Sequence, residues 1–107
     1  MLNNYSLRYL PLFYDDLENI VFYICNVLEN KPAAERLIDK IERAILKRLP
    51  IAEAFEPFRS QKVREYPYYR IYVDNYIIFY VVIEEPDSKI MEVRRILYKG
   101  MDRDNII

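Results

Sequence analysis

Apolar residues recur every three or four positions through the first half of the chain and every second position, or continuously, through the last third, so helices are expected first and a sheet after them. Tyr5 to Leu12, YSLRYLPL, is β-favouring and ends around Pro11, which cannot donate to a ladder; a first strand at a sheet edge is expected there. From Phe13 onward Leu17, Ile20, Val21, Ile24, Val27 and Leu28 keep helical spacing, with Asp15, Asp16 and Glu18 near the positive end of the helix dipole. Asn30 closes this amphipathic helix, and Pro32, which has a near-helical φ and no amide hydrogen to satisfy, opens the next. The second helix carries an apolar stripe of Ala34, Leu37, Ile38, Ile41, Ile45 and Leu49, and Glu35, Arg36, Asp39, Lys40, Glu42, Arg43 and Lys47 give it a solvated face. The short link makes the two an antiparallel hairpin that must pack on the sheet that follows.

Pro50 ends the second helix, and the aperiodic stretch to Gln61 reads as a loop. Tyr68 to Val73 and Tyr76 to Ile83 form a hairpin through Asp74-Asn75, residues that tolerate the left-handed φ of tight turns. Glu85 to Ser88 is a second turn, Lys89 to Tyr98 the last strand, and Gly100 breaks it; the continuous apolar run at Tyr76 to Ile83 marks a central strand. Regular alternation places Tyr69, Ile71, Val73, Tyr76, Ile78, Tyr80, Val82, Met91, Val93, Arg95 and Leu97 on one face, the one the helix hairpin (Pro11 to Leu49) is expected to cover. The other face then holds Tyr68, Arg70, Tyr72, Ile77, Phe79, Val81, Glu92, Arg94, Ile96 and Tyr98, and is expected to be mixed and partly wet. The fold class is therefore α+β: an N-terminal strand, a helix hairpin, then a mostly antiparallel sheet with the helices on one face.

Composition narrows the chemistry. The chain has 107 residues, 52% hydrophobic and 31% charged, which suits one domain spanning 1–107 with its own core. No run of about 18 apolar residues and no charged leader is present, which argues against a membrane span or secretory signal; a cytoplasmic protein is expected. With no histidine there is no Ser-His or Cys-His pair, and with a single cysteine, Cys25, there is no internal disulfide. No cofactor or metal is expected, because carboxylates do not cluster at ligand spacing and the single glycine, Gly100, cannot build a phosphate-binding loop. The net charge of −1 hides a local excess: residues 59 to 73 carry Arg59, Lys62, Arg64 and Arg70 against Glu65 alone. Basic side chains interleaved with tyrosines on an uncovered sheet face suit phosphates, stacked bases or another protein chain.

Three stretches, LPLFYDDLENIVFYI, PAAERLIDKIERAILKRLP and YRIYVDNYIIFYVVIEEPDSKIMEVRRILYKGMD, make nearly the whole chain resemble the RelE/ParE superfamily, the toxins of bacterial type II toxin–antitoxin modules. The C-terminal block is the most specific, being similar to the family's Tyr-Arg, aromatic-rich strand ending in Tyr, and final strand with Arg, His or Tyr, then Asp; here these are Tyr69-Arg70, Tyr76, Tyr80, Arg95, Tyr98 and Asp102. The resemblance implies a growth-inhibiting toxin, an acidic cognate antitoxin, and one of two targets. ParE-like members poison DNA gyrase without catalysis. RelE-like members are ribosome-dependent, metal-independent mRNA endoribonucleases that use sheet cations and a C-terminal Tyr, His or Glu to orient the 2′-OH and stabilise a charged transition state.

For the nuclease alternative the candidate catalytic residues are Arg70, Arg94 and Tyr98. For nucleic-acid or target binding they are Arg64, Arg70, Tyr72, Phe79, Arg94 and Lys99. Nucleases of the superfamily usually carry Arg where this chain has Ile77, and a basic residue just before the Asp where it has Met101. Each lost preorganised cation typically costs about 100- to 1000-fold in rate, so the gyrase-type reading is preferred unless Arg94, Lys99 or Arg64 substitutes. The plain alternatives are that Arg70 and Arg94 are cross-strand neighbours of Glu92, that Tyr98 is a packing residue, and that Arg95 pairs with a carboxylate or emerges at a sheet edge.

Overall fold

The computed structural model describes residues 5–57 and 65–101. The first strand, β1, is Tyr5–Tyr9 and stops earlier than expected, because Pro11 opens the first helix, α1 (Pro11–Phe22). Leu10 is extended at φ −81°, ψ 150°, and its carbonyl accepts the Phe13 N–H at 3.0 Å, so the proline takes the helical position where a missing N–H costs nothing. No acidic residue falls in the first turn, so Asp15 and Asp16 do not serve the helix dipole, whose effect fades beyond that turn.

From Tyr23 to Val27 the helix continues as one wider turn, with Leu28 N–H donating to the Tyr23 carbonyl at 3.1 Å. It ends where Glu29 adopts a left-handed φ of 50° and Asn30 N–H reaches back to the Ile24 carbonyl at 3.0 Å, a termination usually given to glycine. Asn30 caps the second helix, α2 (Lys31–Arg48), by accepting the Ala33 N–H at 3.1 Å on Oδ1, with Pro32 in the first turn as expected. A short 3-10 turn, Leu49–Ile51, follows in what reads from sequence as plain loop.

Three further strands, β2 (Tyr69–Val73), β3 (Tyr76–Glu84) and β4 (Lys89–Tyr98), complete a four-stranded sheet ordered β1-β4-β3-β2. Only β1 and β4 run parallel; the remaining pairs are antiparallel. At the hairpin, Asp74 alone takes the left-handed φ, at 52°, while Asn75 does not need it. The helices cover the face bearing Ile71, Ile78, Tyr80 and Val93, which form one buried core with Phe13, Leu37, Ile41 and Ile45.

The expected register holds through β2 and β3 and fails within β4. Val93 stands opposite Tyr80 and Arg95 opposite Phe79, so Arg94 is an extra residue in a β-bulge. A bulge of one residue reverses the faces of everything beyond it: Ile96 joins the helix-side core, Leu97 turns to the other face, and Tyr98 pairs with Tyr76 on the helix side. The second face is also drier than expected. Ile77, Phe79 and Val81 are fully buried there with Leu97 and Tyr68, and Tyr66 and Ile83 pack against them. The ring of Tyr68 meets Phe79 edge-on at 6.1 Å.

Candidate functional site

The polar part of the second face lies toward β1 and β2. Parallel pairing sets Arg8 of β1 opposite Glu92 of β4, and Arg94 lies two residues further along β4. Glu92 is 4% exposed, and its carboxylate accepts from Arg8 Nε and Arg94 Nε, both at 2.8 Å. Burial pushes its pKa up, but the bonds from Arg94 and Arg8 outweigh that and hold the carboxyl below its usual range. Arg94 also sits 5.8 Å from the centre of the Tyr68 ring; burial disfavours its charge, and the Tyr68 hydroxyl and Glu92 more than restore it.

Arg70, on β2, lies opposite Phe79, with its guanidinium 5.8 Å from the centre of the exposed Tyr72 ring. Its backbone is pinned from the helix side. Arg48, at the end of α2, donates to the Arg70 carbonyl and to the Tyr80 hydroxyl, each at 3.0 Å, while Tyr80 donates to the Ala52 carbonyl at 2.6 Å. The Arg48 guanidinium also lies 3.6 Å over the Phe55 ring, so one side chain ties the end of α2, the segment after the 3-10 turn, β2 and β3 together.

Arg95 is bound in a fork to Asp16 of α1, Nε to Oδ2 at 2.7 Å and Nη2 to Oδ1 at 2.9 Å. Asp16 Oδ2 further accepts the Ile96 N–H at 3.1 Å. β1 ends opposite Val93, and beyond that point, among the described residues, Asp16 supplies the acceptor that a neighbouring strand would have given to the Ile96 N–H.

A family model described as the ParE toxin of a type II toxin–antitoxin system, parDE, matches residues 7–103. The chain belongs to the ParE toxin family. Family membership carries with it a cognate antitoxin as partner. No curated protein matches the chain. Among the described residues of this ParE-family toxin, no helix is long and apolar enough to cross a membrane, and no cluster of three or more His, Cys, Asp or Glu could hold a metal.

The ParE-family fold brings Arg70 and Arg94 to one face, flanked by Tyr72, as the sequence implies. It does not bring Tyr98 to them. Tyr98 stacks edge-on against Tyr76 at 6.0 Å on the helix side, and its row of the sheet lies three residues, about 10 Å, from the row of Arg70. Phe79, expected on a contact surface, is fully buried and unable to touch a partner. Lys99 lies exposed just past β4, where its N–H donates to the Asn75 carbonyl at 2.9 Å. Arg64 and Asp102 lie outside the described residues. Ile77, standing where nuclease relatives usually have Arg, is buried under Tyr68 and Leu97. Glu92, read from sequence only as a neighbour of Arg70 and Arg94, does bind Arg94, whereas Arg8 on this face and Arg48 behind it were not singled out by sequence.

Proposed function

We propose that this ParE-family toxin arrests growth without catalysis, binding a large target, DNA gyrase, through the arginine-bearing sheet face. The observation that carries this reading is the bulge at Arg94. A metal-free ribonuclease of this superfamily needs its cations and its proton-transferring side chain around one phosphodiester, and here Arg70 and Arg94 occupy one face while Tyr98 lies on the other. Arg94 shares the buried Glu92 carboxylate with Arg8, so its guanidinium is held in fixed bonds and the cluster keeps one net positive charge, which suits holding an acidic partner.

Induction of the chain without its antitoxin tests the proposal. Loss of gyrase-dependent supercoiling and induced DNA damage, with cellular mRNA intact, is expected. Ribosome-dependent mRNA cleavage that falls roughly 100-fold or more in Tyr98→Phe would replace this reading with the RelE-like one.

A further inference from the structure

β2 is the outermost strand of the sheet on the side away from β1. The two-residue turn at Asp74-Asn75 makes Val73 and Tyr76 a hydrogen-bonded pair, so Tyr69, Ile71 and Val73 turn their main-chain groups toward β3. Arg70 and Tyr72 turn theirs outward. Arg48 takes the Arg70 carbonyl there at 3.0 Å, but among the described residues nothing meets the Tyr72 N–H or C=O, and Tyr72 is 60% exposed. No proline or bulge interrupts this edge, so its backbone can template one more strand.

A cavity of about 270 Å³ opens beside the same edge on the helix side, walled by Ala44, Lys47 and Arg48 of α2, by Ile51 and Phe55, and by Ile71 of β2. A strand added to β2 would lie about 4.8 Å from it and alternate its side chains. The residue it sets beside Ile71 then projects over the cavity, and the residues before and after it project with Arg70 and Tyr72. Ala44, Ile51, Phe55 and Ile71 suit an apolar side chain there, and Ile51 and Phe55 are left exposed without one. Both charges of the lining are positive. Arg48 bonds neutral groups, the Arg70 carbonyl and the Tyr80 hydroxyl, and among the described residues Lys47 makes no ion pair. The rim therefore favours carboxylates in a segment lying along it.

An open main-chain edge, a cavity for one side chain and cations on its rim fit an extended acidic peptide. Family membership supplies the protein that would carry one, the cognate antitoxin. We propose that an extended, acidic segment of the antitoxin pairs with β2 as a fifth strand, with one apolar side chain seated between Ile51, Phe55 and Ile71 and a nearby carboxylate on Lys47. This pairing follows from family membership and is independent of the gyrase reading.

Amide hydrogen exchange, followed by NMR in the free chain and in its complex with the product of the paired antitoxin gene, gives the test. The Tyr72 N–H is expected to exchange freely in the toxin alone and about 100-fold or more slowly in the complex, whereas the Ile71 and Ile78 amides, bonded within the ladder, are slow in both. Lys47→Glu is expected to weaken the complex about tenfold or more while the melting temperature stays within a few degrees. Lys31→Glu, the same charge change about 24 Å away at the other end of α2, keeps the affinity. A Tyr72 amide that exchanges as fast in the complex as in the free chain overturns the proposal, and so does an equal loss of affinity in Lys31→Glu, which ascribes binding to net charge alone. Protection of Tyr72 already present in the free chain overturns it as well. Protection independent of concentration means that the chain covers its own edge, and protection that rises with concentration means that a second copy does.

Discussion

At the scale of single residues, two largely buried carboxylates, Asp16 and Glu92, join elements far apart in sequence. Asp16 satisfies both a guanidinium and an edge N–H, and its side chain is only 12% exposed, so its loss deprives the part-buried Arg95 and the Ile96 N–H of their acceptor. Asp16→Ala is expected to destabilise by about 2–4 kcal/mol in urea unfolding, and Asp16→Asn by less, because an amide oxygen still accepts from Ile96. Glu92 makes a different prediction. Its folded carboxyl titrates below the unfolded value, as does that of Glu53, which Lys89 and Tyr5 hold by hydrogen bonds. Such groups contribute stability that is present above the unfolded value of about 4.3 and lost as pH falls through the lower folded values. The urea midpoint is therefore expected to fall between pH about 5 and about 3, and to fall less steeply in Glu92→Gln. Arg94→Glu, harmless on an open surface, would set a second carboxylate beside Glu92 and is expected to cost about 2 kcal/mol or more. Reversal of its charge thus confounds binding with folding; Arg70→Glu is the cleaner probe of the face.

At the scale of elements, the bulge and the helix junction are the two places where local rules yield. Because Arg94 is the extra residue, its deletion lets Val93, Arg95, Ile96, Leu97 and Tyr98 keep their present partners in an unbroken ladder. The deleted chain is expected to fold, with a melting temperature lowered by only a few degrees through the lost Glu92 contact. Deletion of Ile78 from β3, which is paired on both sides, would turn half a strand inside out and is expected to abolish the cooperative transition in circular dichroism. At the junction, Glu29 sits at φ 50° without glycine's freedom, so Glu29→Gly is expected to raise stability by about 0.5–1 kcal/mol. Asn30→Ala, which removes the cap of α2, is expected to lower it by about 1 kcal/mol.

At the scale of the whole molecule, one sheet separates two surfaces with different chemistry: among the described residues, the helix side ends in a groove walled by Tyr23, Tyr76 and Tyr98, and the other side carries Arg8, Arg70 and Arg94 around a dry centre. A toxin that acts through the second surface loses toxicity with Arg70→Glu while its melting temperature stays within a few degrees. It keeps toxicity with Tyr98→Phe, which changes only a hydroxyl on the opposite side. Growth assays of the two variants, read beside thermal melts, check both statements, and unchanged toxicity in Arg70→Glu would move the target site off this face.

Local regularities were legible in the chain by itself. Helical spacing placed Leu37, Ile41 and Ile45 on a buried stripe, Asn30 and Pro32 marked a helix start, and alternation from Tyr69 to Tyr80 put Ile71, Ile78 and Tyr80 under the helices. Each of these depends on interactions a few residues long, or on a period that a strand keeps while it is regular. What only the tertiary structure decided depends on neighbours distant in sequence. The parallel pairing of β1 with β4 brings Arg8 to Glu92 across 84 positions, and Asp16 reaches Arg95 across 79. The bulge between them leaves no mark in hydrophobic pattern, since two arginines in succession read equally well as strand. Yet that one extra residue sets which face every later side chain occupies, and with it whether Tyr98 stands beside the arginines or behind them.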